Sequence, residues 1–336
     1  MKRHGRLFDE IFTAENLYQG YLAARKKKRS SRACYLFEKA LGDNIARLLD
    51  EVHGNLYQPS PYHTFQVYEP KPRLIHAPAF RDRVVQHAIY SHIYPIFNQS
   101  FLQDSYACRV GFGTHKASSC LQGAMRQCSP DDYFLQLDIR KFFYRIDRDI
   151  LLTLLERKIK DTRLLDMMML FAYGEGPIGI PIGNLLSQLY ALVYLDPLDH
   201  FVKRELKAKH YLRYVDDFIL IGYSRQECFA LRAIIEEFLS DVLRLELSKS
   251  TIQKISKGIN FVGYRTWRSR KLVRRHSLYK FRRAVKKNDV KAVVSLIGHA
   301  KHTESMPHLC DVLSKSSINL PRKVSKKLKE GEYHAL

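Results

Sequence analysis

Two adjacent acids, Asp216 and Asp217, stand between apolar runs, Tyr214-Val215 before them and Phe218-Ile219-Leu220-Ile221 after. The alternation from His210 to Tyr223 predicts two strands folded back on each other, with the acids at the tip of the hairpin. Neighbouring strand residues face opposite ways, so Asp216 is assigned to a site and Asp217 to its support. Asp138 has comparable surroundings. It ends the run Tyr133-Phe134-Leu135-Gln136-Leu137, where a carboxylate is costly to bury unless a cation or a hydrogen-bond network meets it. An Asp-Asp pair in isolation is ordinary turn chemistry. Acids on two separate strands instead fit phosphoryl transfer, in which alignment and charge neutralisation do most of the work. Two divalent ions about 3.5–4 Å apart are then held by a few carboxylates, water and substrate phosphates.

The rest of the pattern is helix and short strand. The first sixty residues read as helix, with Leu36, Ala40, Ile45, Leu48 and Leu49 as an apolar stripe that Pro59 and Pro61 end. Phe65, Val67 and Tyr68, then Leu74 and Ile75, lie around Lys71-Pro72-Arg73 and predict two strands and a turn over 64–77. Helix is predicted over 81–96, 148–160, 185–201 and 226–242, the third opened by a Gly- and Pro-rich loop from Gly174 to Gly183. This order predicts an α+β fold, an antiparallel sheet backed by helices, rather than a parallel βαβ array.

Charge points to the partner. A formal net charge of +22 exceeds what solubility requires and favours a polyanion, nucleic acid before membrane. No run of about 18 apolar residues offers a spanning helix. The opening Met1-Lys2-Arg3-His4-Gly5-Arg6 lacks the apolar core of a signal peptide, so a cytoplasmic location and no membrane partner are expected. The 6 cysteines form no C-x-x-C pair, which predicts reduced thiols rather than a zinc site or disulfides. His115, His200 and His210 lack enough companions at ligand spacing and are expected at the surface or in packing. The basic run Arg25 to Arg29 is read as either solvated or in contact with RNA. From Arg268 to Leu336 eighteen Lys and Arg stand against five Asp and Glu, which predicts a basic helical clamp for nucleic acid.

Tyr214-Val215-Asp216-Asp217 and, about eighty residues earlier, Asp138 with Phe143 resemble motifs C and A of reverse transcriptases. Further blocks follow the family's order: Lys71-Pro72-Arg73-Leu74-Ile75 with Asp82-Arg83-Val84-Val85-Gln86, Tyr106-Ala107-Cys108-Arg109 through His115, and Gly258-Ile259-Asn260-Phe261-Val262-Gly263-Tyr264. The resemblance covers roughly residues 65–265. It implies a right-hand polymerase fold with a basic helical extension at 1–62, fingers at 63–132 and a palm at 133–265. The palm would carry a fingers insertion near 148–178 and a primer grip at 258–264, and a small basic helical thumb would occupy 266–336.

The implied activity is RNA-directed DNA polymerisation with two Mg2+ ions, which Mn2+ can replace. Template RNA, nascent cDNA and dNTPs are the implied partners. Asp138, the Ile139 carbonyl, Asp216 and Asp217 would hold the metals. Lys71 and Arg73 would hold the triphosphate, a guanidinium being suited to bidentate phosphate contact. Phe143 would lie under the sugar and exclude a 2′-hydroxyl. Ile182 and Gly183 would border the nucleotide, and Phe261, Gly263 and Tyr264 would form the primer grip. Lys249 lies where a lysine general acid is sought, but Leu245-Glu246-Leu247-Ser248-Lys249 matches the family's spacing only loosely, and no role is assigned to it.

One block departs from the family. Most reverse transcriptases carry Gln-Gly-x-x-x-Ser-Pro where this chain has Ile182-Gly183-Asn184-Leu185-Leu186-Ser187-Gln188. That pattern resembles the enzymes of diversity-generating retroelements. The resemblance implies a template-repeat RNA copied into cDNA with errors at adenines, a small basic pentameric accessory protein, and a bacterial or phage source. Glutamine beside the nascent pair can hydrogen-bond a base, whereas isoleucine can only touch it. Losing such discrimination is worth about 1 kcal/mol, roughly a decade in fidelity, so Ile182 and Gln188, with Arg73, are expected to set fidelity. The roughly seventy residues after the primer grip suit a thumb of a few helices, not a maturase, endonuclease or RNase H region. A retron-like or phage-defence reverse transcriptase would share every catalytic residue, although the retron Val-Thr-Gly signature is absent. A catalytically silent RNA-binding scaffold is the more distant reading, which the intact Asp138, Asp216 and Asp217 oppose.

Overall fold

The computed structural model describes residues 3–68, 72–174 and 176–331, and, of Lys323 and Lys329, the backbone. The chain forms two compact units, and neither is a continuous stretch. The first comprises Met1–Cys108, Asp138–Lys207 and Ala233–Lys249; the second comprises Arg109–Leu137, Ala208–Arg232 and Ser250–Leu336.

Helices α1 (Leu7–Ile11), α2 (Ala14–Arg25), α3 (Arg32–Lys39) and α4 (Leu41–His53) open the chain. Thr13 and Ser31 accept from the N–H groups of Asn16 and Cys34, which satisfies donors that a first helical turn leaves open. Strands β1 (His63–Tyr68) and β2 (Pro72–Ala77) pair antiparallel, with Phe65 opposite Ile75 and Val67 opposite Arg73. Helix α5 (Phe80–Asn98) buries Val84, Val85, Ala88, Ile89 and Ile93 along one side. Its buried Asp82 accepts from the Tyr57 hydroxyl at 2.7 Å and the Ser60 N–H at 2.9 Å, which meets the cost of enclosing a carboxylate.

Helix α6 (Thr114–Arg126) leads into β3 (Tyr133–Ile139), which continues past Asp138. Then come α7 (Phe142–Arg145), α8 (Arg148–Glu156), α9 (Thr162–Leu170) and α10 (Leu185–His200). Helix α8 ends before the predicted Lys160. The Lys158 ammonium turns inward to the carbonyls of Ile96 and Phe97, and Ile159 bridges to His4. Helix α10 is buried on most sides, from Leu186 to Leu198, as expected of a central helix without a polar face. It runs on into a single π turn, Phe201–Glu205.

Strands β4 (His210–Tyr214) and β5 (Asp217–Tyr223) form the expected hairpin, followed by α11 (Arg225–Leu243), β6 (Leu247–Lys254), β7 (Ile259–Phe261), β8 (Tyr264–Thr266) and β9 (Lys271–Val273). The chain closes with α12 (Arg275–Lys286), α13 (Val290–Ala300), α14 (Met306–Ser314) and α15 (Arg322–Lys329). One sheet has the order β4-β5-β3-β6, and β7-β8-β9 is a separate antiparallel meander. The second unit packs a core of Tyr264, Val273, Phe281, Val293, Ile297 and Met306 between that meander and the last helices. The basic C-terminal stretch is thus helical, but it shares its compact unit with 109–137 and 208–232. All six cysteines are free thiols. Among the described residues no helix is long and apolar enough to cross a membrane.

Candidate active site

Tyr214 pairs directly with Asp217, so the hairpin turns at Val215-Asp216, one residue earlier than the alternation suggests. Val215 is left-handed, with φ 58°. A positive φ at a two-residue hairpin turn favours glycine, and a β-branched residue there carries about 1–3 kcal/mol of strain. The buried Arg213 donates to the Val215 carbonyl at 3.0 Å and so holds the turn. Asp216, half-buried, stands in the turn outside the strand pairing. Asp217 begins β5, and its Oδ1 accepts from Gln136 Nε2 at 2.9 Å. Gln136 also donates to the Asn260 carbonyl at 3.1 Å. Burial pushes the Arg274 guanidinium pKa down, and the charge of Asp217 opposes that shift.

Asp138 follows Gln136 by two positions on β3, which puts both side chains on the same strand face. It is half-buried between the buried Leu137 and Ile139. Ser248 Oγ on β6 donates to Asp138 Oδ1 at 2.5 Å. Asp138 and Ile139 belong to the first compact unit, Asp216 and Asp217 to the second. Among the described residues no group of three or more His, Cys, Asp or Glu gathers closely enough to cage an ion. The hard carboxylate oxygens of Asp138 and Asp216 suit Mg2+, which binds through one or two carboxylates and completes its shell with water and phosphate. They do not suit Zn2+, which takes thiolates and imidazoles.

Within the first unit the glycine-rich loop is laced down on several sides. The Gly179 N–H donates to the Ile146 carbonyl at 2.8 Å, Ile180 to Phe143 at 2.8 Å, and His76 of β2 to Ile182 at 2.7 Å. Arg148 Nε adds a bond to the Gly179 carbonyl at 2.8 Å. Gly183 has φ 120°, and a Cβ there would stand 2.8 Å from Ile75 Cγ2. Only glycine lets the loop lie against β2. The structure thus joins Ile182 and Gly183 to the strand that carries the exposed Arg73, and ties the Phe143 backbone to the same loop. Gln188 is exposed on α10. Lys71 lies outside the described residues.

Phe261 and Tyr264 flank a turn in which Val262 and Gly263 have φ 44° and 92°. Both rings are buried, so they anchor the turn, and any contact with a primer falls to the turn itself. The Tyr264 hydroxyl donates to the His299 carbonyl at 2.8 Å and lies 3.1 Å from the Nδ1 atoms of His115 and His299. Burial pushes its pKa up to about 12. The His115 ring stands edge-on to His302 with centroids 4.6 Å apart. Gln136, Ser248, Arg274 and His299 carried no role in the sequence reading. Only Gln136 had a signal, its two-residue spacing from Asp138.

This cluster makes stability depend on pH. Burial first, and for His115 the neighbouring His302, His299 and Lys271, holds both imidazoles below the usual 6.5. A base with a lowered folded-state pKa binds fewer protons than the unfolded chain once the pH drops below that value. Its contribution is therefore complete above pH 6.5 and is lost progressively as the pH falls below it. The His115→Gln, His299→Gln chain should lose less Tm than the wild type between about pH 7.5 and pH 5.5. Equal losses would remove these two groups from the explanation.

A family model described as reverse transcriptase (RNA-dependent DNA polymerase) matches residues 66–266, from β1 through β8. The chain is 25% identical to protein YkfC of Escherichia coli (strain K12) over 289 residues, 70% of this chain and 74% of YkfC. It is 24% identical to the group II intron-encoded protein LtrA of Lactococcus lactis subsp. cremoris over 371 aligned positions, 87% of this chain. It spans 61% of the length of LtrA. A solved structure of Candida albicans telomerase in complex with a telomeric RNA fragment is similar at TM-score 0.46 and 11% identity, over 78% of this chain and 58% of that one. The family match extends over more than half of the chain and contains Asp138, Ile182, Asp216 and Asp217. This α+β chain therefore belongs to the reverse transcriptase family, the RNA-dependent DNA polymerases.

Proposed function

We propose that this enzyme extends a primer on an RNA template by two-metal nucleotidyl transfer, and that it miscopies template adenines in the manner of a diversity-generating retroelement. Asp138 and Asp216 hold the ions, with the Ile139 carbonyl as a further oxygen ligand. Asp217, tied to Gln136, keeps the strained turn in place. Mg2+, or Mn2+ in its stead, neutralises charge on the attacking and leaving oxygens when bound. Arg73 and Lys71 take the triphosphate, and Phe143 borders the sugar. Residues 63–132 serve as fingers, 133–265 as palm and 266–336 as thumb. A template-repeat RNA, a small basic accessory protein and a cytoplasmic setting belong to the same reading.

The bond from His76 to the Ile182 carbonyl carries the fidelity reading. It holds an isoleucine, where most relatives have glutamine, against the strand that bears Arg73. An isoleucine side chain offers a base contact but no hydrogen bond. Ile182→Gln should lower misincorporation opposite adenine about tenfold, read by sequencing cDNA made on an RNA template. An unchanged adenine error rate would remove Ile182 from the account. The similarity to group II intron-encoded proteins favours one alternative, the copying of an intron RNA. A low error rate, equal at all four template bases, would select it.

A further inference from the structure

A cavity of about 520 Å³ opens in the first compact unit between the end of α5, the end of α8 and the turn after α10. None of the residues assigned to polymerisation lines it. Its floor is apolar, built from Phe97, Phe101, Leu154 and Val193, all buried. Gln99 and Gln103 stand exposed at its rim and bring two side-chain amides.

The cations around the cavity divide into two kinds. Lys158 is buried, and its ammonium donates to the Ile96 and Phe97 carbonyls at 3.1 and 3.5 Å and to the Ser100 hydroxyl. It closes the C-terminal end of α5, where the helix dipole favours a positive charge, and has no donor to spare. Arg157 and Arg204 are exposed. No carboxylate pairs with either among the described residues.

His200 completes the wall, its Nε2 3.5 Å from Asp196 Oδ1. Burial holds its pKa below the usual imidazole value, and the charge of Arg204 adds to that effect. Arg204 belongs to the π turn that continues α10, and single π turns within α-helices recur at functional sites.

An apolar floor that accepts a flat ring, amides beside it and unpaired guanidiniums at the mouth match an unstacked nucleotide. The volume falls in the range of about 300–1,000 Å³ that encloses small ligands. An acidic peptide would satisfy the guanidiniums but would leave the ring-sized floor without a purpose. We infer that this cavity takes one unstacked nucleotide of a single-stranded RNA, its base against Phe97 and Phe101 and its flanking phosphates on Arg157 and Arg204. The inference rests on the chain's handling of RNA and adds a second point of contact with it.

The test is photo-crosslinking of the full chain to an RNA of about twelve nucleotides that carries 4-thiouridine, with crosslinked peptides mapped by mass spectrometry. Crosslinks are expected within 97–103 or 193–204. In the Arg157→Glu, Arg204→Glu chain their yield should fall about tenfold or more, while dNTP addition to a preformed primer-template and Tm stay unchanged. No crosslink in those segments, or one that survives the double charge reversal, overturns the inference. Suppression by free AMP but not by unlabelled RNA also overturns it, since the occupant is then a mononucleotide. If the unaltered chain adds no dNTP while the crosslink forms, the polymerase reading falls and the cavity assignment stands.

Discussion

The Asp216→Asn, Asp217→Asn chain is expected to add dNTPs at least about a thousandfold more slowly than the wild type, a loss of roughly 4 kcal/mol or more at the transition state. Its affinity for primer-template should stay within about threefold, because in the proposed reaction the charge removed acts on the reacting phosphates rather than on the strand backbone. Asparagine keeps the shape of each side chain. At position 217 its carbonyl can still accept the bond that Gln136 Nε2 makes to Asp217 Oδ1, so the hairpin should fold and Tm should move little. The two single variants separate the roles. Asp216→Asn should carry nearly the whole loss, and Asp217→Asn a smaller one, since Asp217 is fixed at the start of β5 while Asp216 stands in the turn. Asp138→Asn should match Asp216→Asn, with Ser248 still donating to the remaining oxygen. Primer extension that persists in the double variant would remove the hairpin from the metal assignment.

The second large effect concerns binding. Affinity for RNA should fall by about three orders of magnitude or more between roughly 50 and 200 mM salt, as for proteins that neutralise about six to ten phosphates. The charge responsible is well displayed. Helix α12 turns Phe281, Ala284 and Val285 into the core and leaves Arg275, Arg282, Arg283 and Lys286 exposed. Each bound phosphate releases condensed counterions, so the logarithm of affinity falls linearly with the logarithm of salt. Fluorescence anisotropy over a salt series reads the slope directly. A flat response would mean that the net charge of +22 has another purpose.

The hairpin and β3 were legible in the sequence because alternation and an apolar run fix strand direction and facing within a few residues. The left-handed Val215 was not. A valine in a turn looks like the end of a strand until its pairing is known, and the predicted tip was displaced by one residue for that reason. Gly183 was read only as the end of a Gly- and Pro-rich loop beside the nucleotide, because the strand it lies against, β2, is over a hundred residues earlier. Ser248 and His299 were invisible for the same cause: each acts on a residue distant in sequence, Asp138 and Tyr264, and neither has a spacing that announces it. Lys158 shows the opposite error. Its surroundings read as amphipathic helix, whereas the desolvated ammonium needs the carbonyls at the end of α5 and the helix stops short to reach them.

The division of the chain has a consequence for how it is made. It passes from one compact unit to the other at Cys108, Leu137, Lys207, Arg232 and Lys249. A ribosome releases the chain from its N-terminus, and a domain formed by one contiguous segment can close as soon as that segment emerges. Here the first unit must wait for Lys249, and the second for the C-terminal helices. Until then Asp138 and the hairpin emerge on a chain with large apolar faces uncovered, and the contacts that finally close each unit span long loops, which slow folding. No single cut would liberate an intact half. A C-terminal fragment from residue 250 keeps the core of Tyr264, Phe281, Val293 and Ile297 but leaves behind 109–137 and 208–232, the rest of its unit. Its Tm should therefore lie below that of the full chain, and an equal Tm would show that those segments add nothing to its stability.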